Sequence, residues 1–341
     1  VFLTGTQALV RLPLMQRQRD QANGLNTAGF ISGYRGSPLG GFDQQLWRAK
    51  KYLKQQQIHF QPGVNEDLAA TAVWGSQQGD IFGDFNYDGV FSMWYGKGPG
   101  VDRCGDVFRH GNFAGTAKNG GVLVLAGDDH AAKSSTAAHQ CEYAFMDAMI
   151  PVLAPAGVQE FLDLGLYGWA MSRFSGCWVG FKAVGETVDS SASCHVDPLR
   201  IQIKLPEDYL LPDGGLNIRW GGALDVLRQE EYHHRYKLYA ALAFARANKL
   251  DKAVIDGPKR RIGLISAGKA YLDLRQALDD LGIDEKQAQD LGISLYKVAM
   301  SWPLEPEGVR EFCEGLDEVL VVEEKRAVIE NQLKEQLYNW D

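Results

Sequence analysis

The chain has no Cys-x-x-Cys pair, and its five cysteines (Cys104, Cys141, Cys177, Cys194, Cys313) are odd in number and widely spread. That argues against a disulfide framework and supplies no zinc or iron–sulfur ligand set, so a reducing cytoplasmic setting is expected and no metal ligand is assigned. No apolar run approaches the ~18 residues of a membrane span, and Gly121 to Ala126 has only the length of a buried strand. No membrane association is expected. A basic block is also missing: 35 Lys and Arg against 43 Asp and Glu give a formal charge of −8. With no cationic stripe to release counterions from a phosphate backbone, nucleic acid is not an expected partner. The first residue is Val1 rather than methionine, the opening lacks the zones of a signal peptide, and the helical pattern through Leu337 has no capping signal. Both ends are expected to be cut from something longer.

What is present is an ordinary globular composition, 45% hydrophobic and 23% charged over 341 residues, long enough for two domains. Short apolar runs alternate with helical periodicities. Strands are predicted at Gly29–Gly33, Val90–Tyr95, Gly121–Ala126, Ile150–Ala154 and Val179–Lys182, with helices around 42–57, 66–79, 105–118, 139–148 and 158–174. Residues 205–235 break this rhythm with Pro, Gly and polar residues, and a helix at 230–249 follows, with Tyr236, Leu238, Tyr239, Leu242 and Ala245 on its apolar face. A second series has strands at Arg261–Ser266, Ile293–Val298 and Val319–Glu323 and helices at 269–281, 305–314 and 325–338. The expected fold is α/β, with two domains of mostly parallel sheet flanked by helices: residues 1–204, a linker or helical excursion at 205–254, and residues 255–341.

Four segments of the first domain fall where loops leave the carboxyl ends of parallel strands, the place where open α/β sheets bind ligands. Gly33-Tyr-Arg-Gly-Ser-Pro-Leu-Gly-Gly41 is a tight turn in which the Ser37 hydroxyl can face a carboxylate or carbonyl, and it reads equally as a plain strand-to-helix connection. In Gln61-Pro-Gly-Val-Asn-Glu-Asp-Leu-Ala-Ala70, Pro62-Gly63 forms a turn and Asn65 an N-cap. Leu68, Ala69, Ala72 and Val73 are expected to face inward. Glu66 then opens the helix, where a carboxylate either complements the dipole or exchanges a proton with a heterocycle. Gly96-Lys-Gly-Pro-Gly-Val-Asp-Arg103 allows close approach of an anionic ligand but is not a dinucleotide fingerprint.

The fourth segment, Gly127-Asp-Asp-His-Ala-Ala-Lys-Ser-Ser-Thr136, gathers acid, imidazole, ammonium and hydroxyl groups. With no Gly-x-Ser-x-Gly elbow, the pair Ser134 and Ser135 near His130 does not amount to a hydrolase triad. His233 and His234 have no metal-ligand spacing and are expected at the surface.

Taken together, Gly33-Tyr-Arg-Gly-Ser-Pro38, Val64-Asn-Glu-Asp-Leu-Ala69 and Val124-Leu-Ala-Gly-Asp-Asp129 followed by Ser134-Ser135 resemble thiamine-dependent 2-oxoacid:ferredoxin oxidoreductases, closest to the large fused indolepyruvate type. Arg261-Ile-Gly-Leu-Ile-Ser-Ala-Gly-Lys-Ala-Tyr271, Met300-Ser-Trp-Pro-Leu304 and Val319-Leu-Val-Val-Glu-Glu324 resemble the transketolase C-terminal-like domain of the same family. The resemblance implies a pyrimidine-binding first domain, with Glu66 as the catalytic, cofactor-facing glutamate at N1′ of thiamine diphosphate. It implies oxidative decarboxylation of a 2-oxo acid to an acyl-coenzyme A, with electrons passed to ferredoxin. Ser37 matches the hydroxyl placed near the substrate carboxylate, Arg103 and Arg109 are candidates for a second carboxylate contact, and Arg35, Gly36, Pro38, Asp128, Asp129, Ser134 and Ser135 complete the active-site loops.

Two family features are missing. None of Gly79-Asp80-Ile81, Gly83-Asp84-Phe85, Gly105-Asp106-Val107 or Gly127-Asp128-Asp129 completes the Gly-Asp-Gly diphosphate motif, and cluster cysteines are lacking. The resemblance therefore implies an amino-terminal piece that holds half of the cofactor site and is inactive alone, in an expected homodimer, with Mg²⁺ and [4Fe–4S] clusters on other domains. The alternatives are a transketolase-like or 2-oxoacid dehydrogenase E1 β-like subunit, or an assembly module without catalysis.

Overall fold

The computed structural model describes the whole chain except residues 84, 133–135, 220–224 and 340–341. Thirteen strands are formed among the described residues: β1 Phe2–Thr4, β2 Ala28–Gly33, β3 Ile58–Phe60, β4 Val90–Lys97, β5 Val122–Asp128, β6 Val152–Leu153, β7 Val179–Val184, β8 Ser191–Ser193, β9 Lys252–Ile255, β10 Ile262–Ala267, β11 Ile293–Val298, β12 Met300–Trp302 and β13 Glu318–Val322. Seven make one sheet in the order β12-β6-β7-β5-β4-β2-β3, and four make a second in the order β13-β10-β11-β9. All pairings in the first sheet are parallel except β12 on β6, and all in the second except β9 on β11. Helices cover the sheets, so the α/β architecture expected from the sequence is what the chain adopts. β5 shows why: every residue from Val122 to Asp128 is buried, as a strand covered on both faces requires.

Two strands depart from the sequence reading. β9 begins at Lys252, within the segment read as a linker, and β12 leaves the second series to pair with β6 of the first sheet. Both are too short to carry a period. The helix Gly5–Ala22 was not foreseen at all. It contains Pro13 and is buried nearly all round, including Leu9, Leu12, Gln16, Arg17 and Asp20, so it shows no amphipathic stripe. It crosses the helix Val158–Ser175 closely: a Cβ on Gly165 would meet Leu12 Cδ2 at 2.3 Å. Asp20 of the first helix accepts both Arg173 guanidinium nitrogens of the second at 2.7 and 2.8 Å. Thr27 and Gln16 supply further donors, as a buried ion pair requires.

Other faces are corrected by the structure. In the helix Glu66–Ser76 the inward residues are Ala69, Ala70 and Val73, whereas Leu68 is 54% exposed and Ala72 is also exposed. The helix predicted at 230–249 is interrupted by a π-helical stretch, His233–Lys237. That stretch rotates the face relative to a 3.6-residue count. Tyr239 consequently points to solvent, and His233, expected at the surface, is only 7% exposed. Burial and the nearby Lys237 push the His233 imidazole down to about 3, so it is neutral at physiological pH.

Asp251 stitches the two sheets together. Its Oδ1 accepts the backbone N–H groups of Ala299 (2.7 Å) and Met300 (3.0 Å), while the Ala299 carbonyl accepts from Ala154 N at 2.8 Å beside β6. Burial drives the Asp251 carboxyl up to about 7, against the pull of those two N–H groups and with help from Glu305. A carboxyl raised above its unfolded value of roughly 3.9 contributes stability that is complete below about pH 4 and is lost as pH rises through about 7. Asp251→Asn keeps an oxygen acceptor and cannot ionise. Denaturant unfolding between pH 5 and pH 8 is therefore expected to show wild type losing stability relative to Asp251→Asn as pH rises; parallel pH profiles would remove this assignment.

Candidate functional site

In the large sheet β2 is flanked by β3 on one side and β4 on the other, so the chain reverses its winding direction between β2 and β4. A crevice at the carboxyl ends of strands is expected at such a point. The described parts of all four segments singled out from the sequence are packed there. Gly33 continues the pairing by accepting from Gly63 N at 2.8 Å, and a Cβ on Gly36 would lie 2.7 Å from the Lys97 side chain at the end of β4. Pro38 and Leu39 press on Gly127 at the end of β5, with contacts of 2.9 and 3.0 Å from a virtual Cβ. The chain after β5 returns to place the His139 ring on Gly98, and His139 Nε2 lies 3.1 Å from Asp102 Oδ2.

Glu66 stands in the middle of this arrangement. Asn65 is extended and its side chain accepts from Leu68 N at 2.9 Å, which caps the helix as the sequence predicts and makes Glu66 its first residue. Trp94 of β4 donates its indole N–H to the Glu66 carbonyl at 3.1 Å, tying the helix start to the sheet. The carboxylate is partly buried and, among the described residues, receives no hydrogen bond. Facing it is Gly100, whose Cβ, if present, would sit 2.7 Å from Glu66 Cγ and 3.1 Å from Oε1. Any side chain at that position would fill the space the carboxylate uses.

The remaining candidates are distributed unevenly. Ser37 is partly buried in its loop, Arg35 is exposed, and the Ser37–Pro38 peptide is cis. Arg103 donates Nε to Asp67 at 2.8 Å, which holds it beside Glu66. Arg109 is paired instead with Asp147 on the exposed face of the helix Gly105–Ala114, and among the described residues no hydrogen bond or ion pair links it to the four loops. Asp129 is partly buried with Oδ2 unpartnered, whereas Asp128 is fully buried and accepts from Cys141 N (3.0 Å) and Sγ (2.5 Å). Lys182 approaches Asp128 at 3.7 Å and Glu142 at 2.6 Å; burial alone would lower its pKa, but the two carboxylates raise it. Asp128 is thus consumed by a buried network that supports the loop. Ser134 and Ser135 lie outside the described residues.

Sequence reasoning missed the parts that surround the acid. Trp94 and Tyr95 are both completely buried in a strand covered on each face, so no alternation distinguishes the one that reaches Glu66. Cys104 is close enough to Glu66 and Asp67 that burial first, and these acids second, push its thiol well above the usual range. A thiol so held is a poor nucleophile.

Residues 251–341 match the family model described as the indolepyruvate ferredoxin oxidoreductase middle domain. Over 338 residues, 98% of the chain, the sequence is 26% identical to indolepyruvate oxidoreductase subunit IorA of Pyrococcus horikoshii and covers 47% of that protein. The IorA subunit of Methanothermobacter marburgensis is 23% identical over the same share, with 48% of its length covered. The chain spans about half the length of the curated relatives it matches. Among solved structures, 2-oxoglutarate:ferredoxin oxidoreductase from Magnetococcus marinus, determined with 2-oxoglutarate, coenzyme A and succinyl-CoA bound, superposes with a TM-score of 0.70. That match covers 99% of this chain and 60% of the other at 14% identity, and it shows a shared fold. The resemblance read from the sequence motifs is thus met by a family model, by full-chain relatives and by a common fold.

Proposed function

We propose that this chain forms the pyrimidine-facing half of the thiamine diphosphate site in a 2-oxoacid:ferredoxin oxidoreductase acting on an indolepyruvate-like 2-oxo acid. One observation carries the reading: a partly buried carboxylate, Glu66, without a hydrogen-bond partner among the described residues, opens a helix at the sheet's reversal point and faces a glycine. The relatives' names supply the reaction class. Thiamine diphosphate, if bound, would supply a nucleophilic carbon that adds to the 2-oxo carbonyl and an electron sink for the pair left when carbon dioxide departs.

The residues of this chain act around that chemistry. Glu66 holds a proton toward N1′ of the aminopyrimidine, Trp94 fixes the backbone from which it projects, and Gly100 leaves room for its carboxylate. Ser37 faces the substrate carboxylate, with Arg103 better supported than Arg109 for a second contact, since Asp67 keeps Arg103 next to Glu66. Arg35, Gly36, Pro38, Asp128 and Asp129 shape the loops. In this reading 1–204 is the pyrimidine domain, 205–254 the connection and 255–341 the transketolase C-terminal-like domain. Other domains, in a homodimer, hold the diphosphate with Mg²⁺ and the [4Fe–4S] clusters, pass electrons to ferredoxin and bind coenzyme A in the cytoplasm.

Titrating thiamine diphosphate into the full-length enzyme, with ferredoxin as acceptor, coenzyme A present and a panel of 2-oxo acids, tests this. The expected result is ferredoxin reduction that saturates with the cofactor and is fastest with an aryl pyruvate. Reduction independent of thiamine diphosphate, or transfer to a lipoyl carrier in place of ferredoxin, would overturn it.

A further inference from the structure

Away from Glu66, a small cavity of about 50 Å³ lies at the junction of the two sheets, lined by Glu142, Ala154, Pro155, Lys182, Gly268 and Ser301 among others. Two of these side chains are almost fully buried and, among the described residues, incompletely satisfied. Glu142 is 5% exposed, and its Oε1 accepts from Lys182 Nζ at 2.6 Å while Oε2 has no partner. Ser301 of β12 is 3% exposed, and its Oγ has no partner either. Buried polar atoms left in this state destabilise the fold unless something fills the space between them.

The surrounding groups identify what would fill it. The carbonyl oxygens of Ala154 and Pro155 both lie 3.8 Å from the position of a Cβ on Gly268, so backbone oxygens line the wall beside the two side-chain oxygens. The charge balance is negative. Lys182 is shared by Glu142 and Asp128, Lys269 and His130 both meet Glu324, and Glu323 is a further acid, turned away to cap the helix Ile329–Leu337. An all-oxygen set of one carboxylate, one hydroxyl and carbonyls suits a hard cation. The Lys182 ammonium disfavours a divalent ion, and among the described residues no three His, Cys, Asp or Glu side chains are grouped as a metal site. A cavity of this volume has room for a single ion together with water, since a water needs only about 10–15 Å³ of such space.

We propose that this cavity binds a monovalent inorganic cation, of the potassium or sodium class, through Glu142 Oε2, Ser301 Oγ and the carbonyls of Ala154 and Pro155. Because Ser301 sits on β12, the strand that the second series lends to the first sheet, the ion ties that strand to the segment after β6 and to the helix that carries Glu142. It also braces the Glu142–Lys182–Asp128 network under the loop after β5.

Thermal unfolding of the full-length protein in KCl, NaCl and NH4Cl, against choline chloride at equal ionic strength, tests this. The expected result is a saturable rise in Tm with at least one inorganic cation and none with choline. Ser301→Ala, which removes one ligand and leaves the ion pairs intact, is expected to raise the half-saturating concentration about tenfold. Glu142→Gln should abolish the response; because it also disturbs Lys182, Ser301→Ala is the decisive variant. Thallium(I) soaked into crystals should give an anomalous peak between Glu142 and Ser301. Equal Tm in KCl, NaCl, NH4Cl and choline, a rise that Ser301→Ala leaves unchanged, or no thallium peak at this place would each overturn the proposal.

Discussion

Glu66→Gln in the full-length, cofactor-loaded enzyme is expected to lower the rate of 2-oxo acid decarboxylation by about 10²–10⁴-fold, the range typical for loss of a positioned acid–base group. The substitution preserves shape and one hydrogen-bonding oxygen but cannot hold or release a proton. A first-turn carboxylate that only complemented the helix dipole would behave differently. Its loss would cost about 0.3–1 kcal/mol of stability and leave turnover intact. The helix start is over-provided in that respect: Asp67 is also acidic and Asn65 already caps it, so Glu66→Gln should scarcely move Tm. The pairing of a large kinetic loss with a small stability change separates the two roles, and a Tm drop without a rate change would favour the structural one.

Gly100→Ala is expected to give a second large effect from a residue without functional groups. A methyl there would approach Glu66 Cγ to 2.7 Å, which the flexible side chain must relieve by moving. The backbone at Gly100 is helical and has no positive φ, so alanine is tolerated and the fold should persist. Displacing a catalytic group by about 1 Å costs on the order of 10²-fold in rate. We therefore expect a loss of turnover approaching that of Glu66→Gln with an unfolding midpoint close to wild type. Combining both substitutions should add little to either alone, because they act on one carboxylate. Full additivity of the two losses would place Gly100 in some other role.

The α/β architecture was legible in the sequence wherever burial leaves a simple mark. β5 is a continuous apolar run up to Asp128, β4, β7, β10 and β11 are mostly apolar and buried, and the helices Val158–Ser175 and Gly268–Asp280 carry a period. What was illegible had its signal erased by complete burial or by brevity. The helix Gly5–Ala22 buries polar residues such as Gln16, Arg17 and Asp20 beside its apolar ones and contains a proline, and β12 has three residues. The π-helical stretch at His233–Lys237 turned Tyr239 outward and His233 inward while Leu242 and Ala245 kept their expected side, and such a local shift cannot be read from composition.

The site was legible in part for a related reason. Loops rich in Gly, Pro and polar residues after buried strands indicate where chemistry can gather, and the four chosen loops do meet at one edge of the sheet. Individual partners were not readable. Arg103 and Arg109 look alike in sequence, yet Asp67 draws one toward Glu66 and Asp147 holds the other on the outer surface. Asp128 and Asp129 are adjacent, yet β5 buries one in an ion network and leaves the other on the loop. Such differences depend on residues tens of positions away.

The central claim is that Glu66 governs proton transfer at the pyrimidine end of the cofactor. It is tested most directly by hydrogen–deuterium exchange at C2 of thiamine diphosphate bound to the full-length enzyme, measured by quenched-flow NMR without substrate for wild type and Glu66→Gln. The account predicts that Glu66→Gln slows this exchange by at least about 10²-fold while the cofactor remains bound. Equal exchange rates in the two proteins, with thiamine diphosphate bound to both, would contradict it.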